Sequence, residues 1–218
     1  MKADIIKPKQ SAQSSEALVT ASQLPKPNLA GPDRSNGNGR PAFLPQDRLQ
    51  IDGVENLVDY FVLGSYLSQL SRAGLSTNQL FAVKLDEMRK IYHSSSTGEF
   101  KYALAKVAAA ISDVIHPHWY LMSYAGDGLF ICISDSQSLL QSPGLESEIQ
   151  AVLDASNATY ANGLPMPLAV SMGSPLRANA SKTQRVKKTF RRVVARAKAR
   201  ASKKSLSSAR STTRHIEI

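Results

Sequence analysis

Two strand-like apolar runs separated by four small residues constrain this chain more than any other feature of its sequence. The first run, "WYLMSY", ends at Tyr124, and the second covers residues 129–133, with only "AGDG" between them. Gly and Asp are residues that tight turns prefer, so the two runs predict an antiparallel β-hairpin. Any fold for this chain must place these strands side by side, with Asp127 in the turn.

The segments around the hairpin complete a regular order of strands and helices. A strand is predicted over residues 80–85, and apolar residues at three- and four-residue steps predict a helix over residues 98–115. A second helix over 144–161 and a strand in "MPLAVSMG" follow the hairpin. This β-α-β-β-α-β order is typical of the ferredoxin-like fold. The predicted fold class is therefore α+β, with a four-stranded antiparallel sheet, helices on one face, and an extra helix before it, from Val54 to Gly74.

Composition divides the chain into three parts. Residues 1–46 contain six of the 11 prolines among Gly, Asn and Ser, so this segment is predicted to be disordered. Residues 47–180 carry the periodic apolar pattern and form the predicted domain. Residues 181–218 contain 13 Lys and Arg and one acid, whereas the other 180 residues carry 14 basic and 16 acidic residues. The positive charge therefore belongs to a basic C-terminal tail, predicted to be helical or disordered.

The cysteine count and the hydropathy pattern indicate the cellular compartment of the protein. Cys132 is the one cysteine and sits inside an apolar run, which excludes an intrachain disulfide and a cysteine-rich zinc site. The N-terminal residues turn polar at once, and no stretch approaches the ~20 apolar residues that cross a bilayer. We therefore expect a cytoplasmic protein without a transmembrane segment.

Two acidic residues are predicted to meet at one end of the sheet. In the predicted strand order, the hairpin turn lies beside the end of the first strand, so Asp127 approaches Asp86. Neighbouring carboxylates repel unless a cation or a proton lies between them, and Mg²⁺ prefers carboxylates together with substrate phosphates. Gly126 and Gly128 would let a triphosphate approach the backbone. The alternative is structural, because Asp-Gly is also a common turn pair.

The motifs in this order resemble those of a known group of enzymes. "YAGDGLFICI" resembles the hairpin of class III nucleotidyl cyclases and the GGDEF hairpin of diguanylate cyclases, which share a palm-type fold. "MPLAVSMG" resembles a later strand of both families, and "LFAVKLDEM" falls where their first metal-binding strand lies. The resemblance covers residues 78–176. It implies conversion of a nucleoside triphosphate to a cyclic nucleotide and pyrophosphate, with Mg²⁺ or Mn²⁺ held by Asp86 and Asp127 in a homodimer.

The departures from the two families leave activity open. In the class III register an acid is missing at Val83, and Asp86 replaces it only if the following loop is shorter. In the GGDEF register Lys84 and Gly128 stand where metal-binding acids are usual, and Tyr92 replaces the Asn that contacts guanine. Lys84 would then neutralise Asp86 or contact a phosphate, so Lys84, Gly126 and Gly128 are candidate nucleotide-binding residues. The alternative function is an inactive palm-like domain that binds a nucleotide or a partner.

The basic tail has three possible roles. Residues 181–201 are compatible with a helix that carries an apolar stripe from Val186 to Ala197. The stripe could pack on the domain, the helix could lie on an anionic membrane, or the tail could bind nucleic acid through phosphates. No base-reading motif is present, so any such binding is predicted to be nonspecific. The predicted polyanion-binding residues are Lys187, Lys188, Arg191, Arg192, Arg196, Lys198 and Arg200.

Overall fold

A computed structural model describes Pro41 and residues 43–70, 74, 77–135, 144–177 and 185–214. The predicted disorder of residues 1–46 falls mainly outside this part of the chain. The helices are α1 (Tyr60–Gln69), α2 (Met88–Ser94), α3 (Thr97–Ile115), α4 (Leu145–Ala155) and α5 (Arg185–Arg214). The strands are β1 (Gln79–Leu85), β2 (Tyr120–Tyr124), β3 (Leu129–Ser134), β4 (Val170–Met172) and β5 (Leu176–Arg177).

The sheet has the predicted strand order. Its strands lie in the order β2-β3-β1-β4, with β5 pairing one end of β1, and every pairing is antiparallel. Strands β1 and β2 are therefore parallel to each other, with β3 between them. Since Lys84 pairs with Leu129, the turn before β3 lies beside the end of β1. The predicted α+β, ferredoxin-like fold is confirmed.

One face of the sheet is covered by α3 and α4. Alternate residues of β1, namely Phe81, Val83 and Leu85, are buried in the core that these helices form with the sheet. Helix α3 begins with a capping box, in which the Ser96 hydroxyl accepts from the Glu99 amide and the Glu99 carboxylate accepts from the Ser96 amide. This cap fixes where α3 begins and so positions its apolar face on the sheet.

The opposite face is covered by α1 and by the basic helix α5. Phe190, Val193 and Ala197 of α5 are buried there, beside Leu63 and Leu67 of α1. Their partners on the sheet are Leu80, Ala82, Leu129, Ile131 and Ile133. The apolar stripe of the tail therefore packs on the domain, which leaves its cationic side facing outward. No described helix combines the length and apolar character that crossing a bilayer requires.

Helix α1 begins later than its apolar pattern predicts. Asp59 caps it by accepting from the Phe61 amide at 2.7 Å. The preceding residues pair instead with the edge strand β2, where Val58 N donates to Met122 O at 2.8 Å and Met122 N donates to Asn56 O at 2.9 Å. An edge strand leaves backbone groups without partners, and this segment satisfies some of them. The predicted end near Gly74 adjoins positions outside the described residues.

Residues 43–47, here called the strap, cross the hairpin turn. The Asp127 amide donates to Pro45 O at 2.7 Å, and the Tyr92 hydroxyl donates to Phe43 O at 2.8 Å. The strap therefore belongs to the packed structure, although it contains the last residues of the segment predicted to be disordered. Tyr92 is buried against Phe100, so it serves packing at the position where the resemblance placed a base contact.

Candidate functional site

The hairpin turn holds three consecutive residues in the left-handed region. Gly126, Asp127 and Gly128 have φ values of 85°, 53° and 69°. A Cβ at Gly126 would overlap the Gln46 carbonyl oxygen, and a Cβ at Gly128 would lie 2.8 Å from Met88 Cγ. Both positions therefore need glycine for the turn and for packing. Atoms of the protein itself already fill the space that a Cβ would occupy at these two glycines. That the glycines let a phosphate approach the backbone stays a prediction.

A cavity of about 340 Å³ opens at this end of the sheet. It lies where β1, the hairpin turn, the start of α2 and the middle of α5 meet, so it brings together Lys84, Asp86 and Asp127 from separate elements. Its lining consists of Lys84, Asp86, Glu87, Met88, Arg89, Lys90, Asp127 and Lys198. The topology predicted that the two aspartates share this end of the sheet, whereas the contribution of α5 was not predicted.

Asp86 has a fixed position and a partly free carboxylate. Its Oδ2 accepts from Ser171 Oγ at 2.8 Å and lies 3.9 Å from Lys204 Nζ. Its Oδ1 is buried, and no described group donates a hydrogen bond to it. Burial raises the pKa of Asp86, and this outweighs the opposing effects of Ser171, Lys204 and Lys84. The carboxylate therefore keeps one oxygen that a donor or a cation could still use.

Lys84 is half-buried at the same end of β1. Its Nζ donates to Leu85 O at 3.2 Å. Burial lowers the pKa of Lys84; Asp86 and Asp127 act against that change, while Lys198 and Arg89 add to it. Lys198 and Arg89 are thus close enough to Lys84 to disfavour its charge. An anion bound between them would relieve this repulsion.

Two basic residues of α5 pair with carboxylates beside the cavity. Lys204 Nζ donates to Val170 O at 2.8 Å and lies 3.9 Å from Glu146 Oε1. Arg200 donates through Nε and Nη2 to the two oxygens of Glu146, at 3.1 and 3.2 Å. Glu146 also accepts from the Met172 amide at 2.9 Å. Sequence reasoning missed Lys204 and Glu146 as part of the site, because no local pattern links residues so far apart in the chain.

The remaining predicted tail residues divide by their contacts. Lys187, Lys188, Arg191 and Arg192 are exposed on the outer side of α5. Arg196 instead donates to the carbonyl oxygens of Ser174 and Pro175, at 3.1 and 2.9 Å. The predicted polyanion-binding set is therefore one exposed cluster plus three residues, Arg196, Lys198 and Arg200, that face the domain.

The donor set does not match the Mg²⁺ or Mn²⁺ site that the resemblance implies. Within the described part of the chain, no group of three or more His, Cys, Asp or Glu side chains could hold a metal ion. Asp86 and Asp127 are the two acids predicted as ligands, and Lys204 lies against the first of them. Lys84 and Lys198 also line the cavity and would repel a divalent cation. In this arrangement, the side chains present favour an anion over a metal ion.

Two other cavities offer less to an anionic ligand. One of about 550 Å³ lies behind the residues that lead into α1, and Arg48 is the one basic side chain among its lining residues. Another, of about 410 Å³ beside α4, has no basic residue in its lining. The cavity at the hairpin turn is therefore the candidate site for a phosphorylated ligand.

Comparison with known proteins gives structural neighbours only. No family model and no curated protein matches the sequence. Among solved structures, the GGDEF domain of DgcB from Caulobacter crescentus, in complex with c-di-GMP, has a TM-score of 0.53 at 19% identity, over 70% of this chain and 91% of that one. The diguanylate cyclase SiaD from Pseudomonas aeruginosa, in complex with its activator SiaC, has a TM-score of 0.48 at 17% identity, over 69% of this chain and 56% of that one. The fold is that of palm-type nucleotidyl cyclase domains.

Proposed function

We propose that this protein is a nucleotide-binding palm domain, whose cavity beside Asp127 takes the polyphosphate of a nucleoside triphosphate. The observation that supports this most is the convergence of four basic side chains on one cavity in a cyclase-like fold. These are Lys84, Arg89, Lys90 and Lys198. Lysine and arginine are the side chains that bind phosphate oxygens most strongly. The volume, about 340 Å³, is within the range of small-molecule sites.

The binding test compares nucleoside triphosphates in isothermal titration calorimetry. Replacing Lys84 or Lys198 with alanine should weaken triphosphate binding by about tenfold or more, since each removes a charge-assisted contact. Lys101→Ala is the matched control, because this lysine is exposed on α3 and is not among the residues that line the cavity. If ATP, GTP, CTP and UTP all fail to bind saturably, the proposal is wrong.

A second experiment tests whether the same cavity catalyses a reaction of the bound nucleotide. Asp86 and Asp127 line it together, as a cyclase would need. The protein should be incubated with each nucleoside triphosphate and either Mg²⁺ or Mn²⁺, and the products separated by chromatography. A cyclic nucleotide that disappears in Asp127→Asn would identify a nucleotidyl cyclase. Asparagine suits this comparison because it tolerates the left-handed backbone at this turn and removes the charge.

The exposed side of α5 favours nucleic acid as a second ligand. Residues 185–214 contain 12 Lys and Arg and no acid, and Lys187, Lys188, Arg191 and Arg192 all face outward. The apolar stripe of the helix is buried on the sheet, and among the described side chains of α5 Leu206 is the one large hydrophobic that is exposed, which is too little apolar surface to insert into a membrane. A surface that is cationic without being amphipathic suits a phosphate backbone.

Changing charges is a better test of this surface than truncation, because α5 contributes to the core. Replacing Lys187, Lys188, Arg191 and Arg192 with glutamine should weaken binding of a DNA duplex and of single-stranded RNA, and should flatten the dependence on salt. Lys101→Gln is the control, because this exposed lysine lies outside α5 and is not among the residues that line the cavity. Unchanged binding in the four-residue variant would contradict nucleic-acid binding by this face. Binding to anionic vesicles without binding to nucleic acid would point to a membrane instead.

Two further expectations belong with this proposal. The homodimer is implied only by the resemblance to class III cyclases, and light scattering would measure its mass directly. A cytoplasmic location fits a protein that uses nucleoside triphosphates, and cell fractionation would test it.

A further inference from the structure

We infer that Lys204 takes the place of a divalent cation at Asp86, so that the cavity binds a polyphosphate ligand without a metal ion. This inference rests on the proposed nucleotide-binding function, and it specifies the form in which the nucleotide is bound. The relevant contacts join α5 to the ends of β1 and β4. They involve the carboxylates of Asp86 and Glu146, which lie beside the cavity.

The ammonium group of Lys204 lies among three oxygens. It donates to the Val170 carbonyl at 2.8 Å and lies 3.9 Å from both Asp86 Oδ2 and Glu146 Oε1. The Asp86 side chain is only 16% exposed and that of Glu146 only 19%, so these carboxylates meet little competition from water. The Lys204 ammonium therefore supplies, beside these oxygens, the positive charge that a bound metal ion would supply.

Contacts in the two turns of α5 before Lys204 fix its position. One turn before it, the two-pronged contact between Arg200 and Glu146 ties α5 to the start of α4. Further back, α5 passes close to Gly173, where a Cβ would lie 2.6 Å from Ala197 N. The pairing of Lys204 with Asp86 is thus imposed by how the helix seats on the sheet, unlike an isolated ion pair on an open surface.

The charge of the cavity follows from this pairing. Its lining contains four basic side chains and three acidic ones, and just outside it Lys204 and Arg200 add two positive charges and Glu146 adds one negative charge. A triphosphate without a metal ion carries more negative charge than its Mg²⁺ complex. A cavity of net positive charge therefore attracts the metal-free ligand more strongly.

The surroundings of the Asp86 carboxylate predict the effect of replacing Lys204 with a neutral residue. Asp86 Oδ1 is buried, and no described group donates to it. Without the Lys204 ammonium, Oδ2 would keep its hydrogen bond from Ser171 and Oδ1 would stay open, so a divalent cation could take the vacated position beside the carboxylate. Lys204→Met should thus make ligand binding depend on metal.

The experiment measures binding of ATP and of inorganic tripolyphosphate, first with EDTA and then with excess MgCl₂. The unaltered protein should bind both probes at least as tightly in EDTA as in Mg²⁺. Lys204→Met retains the aliphatic stem, and its affinity in EDTA should fall about tenfold and recover with Mg²⁺ or Mn²⁺. Lys203→Met is the matched control, since it removes a neighbouring exposed charge from the same helix. A Mn²⁺ titration followed by electron paramagnetic resonance should detect binding to Lys204→Met and none to the unaltered protein.

The outcomes separate this inference from the proposed function. Binding of triphosphate only when Mg²⁺ is present would overturn the inference and leave nucleotide binding intact. Failure of both probes to bind under either condition would overturn the proposed function itself. A Lys204→Met protein that binds as the unaltered one does in EDTA, without gaining Mn²⁺ affinity, would also overturn the inference. Comparing the affinity of the unaltered protein in EDTA with its affinity in MgCl₂ tests the inference even if the variant does not fold.

Discussion

At the scale of single residues, Glu99 links two separate parts of the chain. One carboxylate oxygen accepts from the Ser96 amide at 2.8 Å, and the other accepts from the Ala161 amide at 2.7 Å. These backbone donors hold the pKa of Glu99 below its usual value, although burial acts in the opposite direction. The residue therefore caps α3 and also ties down the loop that follows α4.

We predict that Glu99→Gln lowers the free energy of unfolding at neutral pH by about 1–3 kcal/mol, the cost of weakening charge-assisted bonds. A folded-state pKa below the usual glutamate value of 4.5 means that ionised Glu99 stabilises the fold above that pH, and this contribution is lost as pH falls through the folded-state pKa. The difference between the two proteins should thus shrink in acid. Urea titrations at several pH values measure it, with the exposed Glu148→Gln as control; a difference that stays constant across pH would contradict the prediction. The raised pKa of Asp86 also makes stability depend on pH, but it does so equally in both proteins and cancels from the difference between them.

At the scale of elements, the contact between β4 and α5 depends on a residue without a side chain. Gly173 follows β4, and its amide donates to Ala82 O at 3.0 Å. A Cβ there would come within 3.0 Å of Ala197 N and Arg196 Cβ. Because the first of these atoms belongs to the helix backbone, α5 itself would have to shift.

Gly173→Ala should therefore destabilise the protein by about 1–3 kcal/mol, as overpacking usually does. Gly64→Ala is the matched comparison, because its Cβ would meet Val186 Cγ1 at an ordinary 3.6 Å. In helix α1 that change should stabilise the protein by up to about 1 kcal/mol, since alanine is the better helix former. Thermal unfolding measures the melting temperature of both variants. If both melting temperatures move in the same direction, the steric role given to Gly173 is wrong.

At the scale of the whole molecule, α5 is a structural part of the domain. It covers one face of the sheet, and the residues that it buries there include Phe190 and Val193. Removing residues 181–218 should expose that face, with loss of cooperative unfolding and increased binding of a hydrophobic dye. Removing only residues 208–218 keeps the buried stripe and should leave a cooperative transition. A sharp melting transition in the longer truncation would show that the rest of the domain folds alone.

The sequence predicts the sheet better than it predicts the site. The apolar runs of β1 and β3, and the small residues between β2 and β3, predict the hairpin because these signals are local, and the order of strands and helices along the chain predicts the strand order. The start of α1 was misplaced because backbone pairing to β2 prevailed over an apolar pattern that began at Val54. The contacts of Lys204 and Glu146 arise only when α5 seats on the sheet, and no spacing in the chain indicates such a meeting.

The position of α5 in the chain also has a consequence for the order of folding. Phe190, Val193 and Ala197 are synthesised after every strand residue that they cover. During translation, Leu80, Ala82, Ile131 and Ile133 therefore emerge before α5, when α1 is the one helix of this cluster already synthesised. The apolar cluster on this face is complete only when α5 has left the ribosome, so its strand residues are less protected from contact with other chains until synthesis ends.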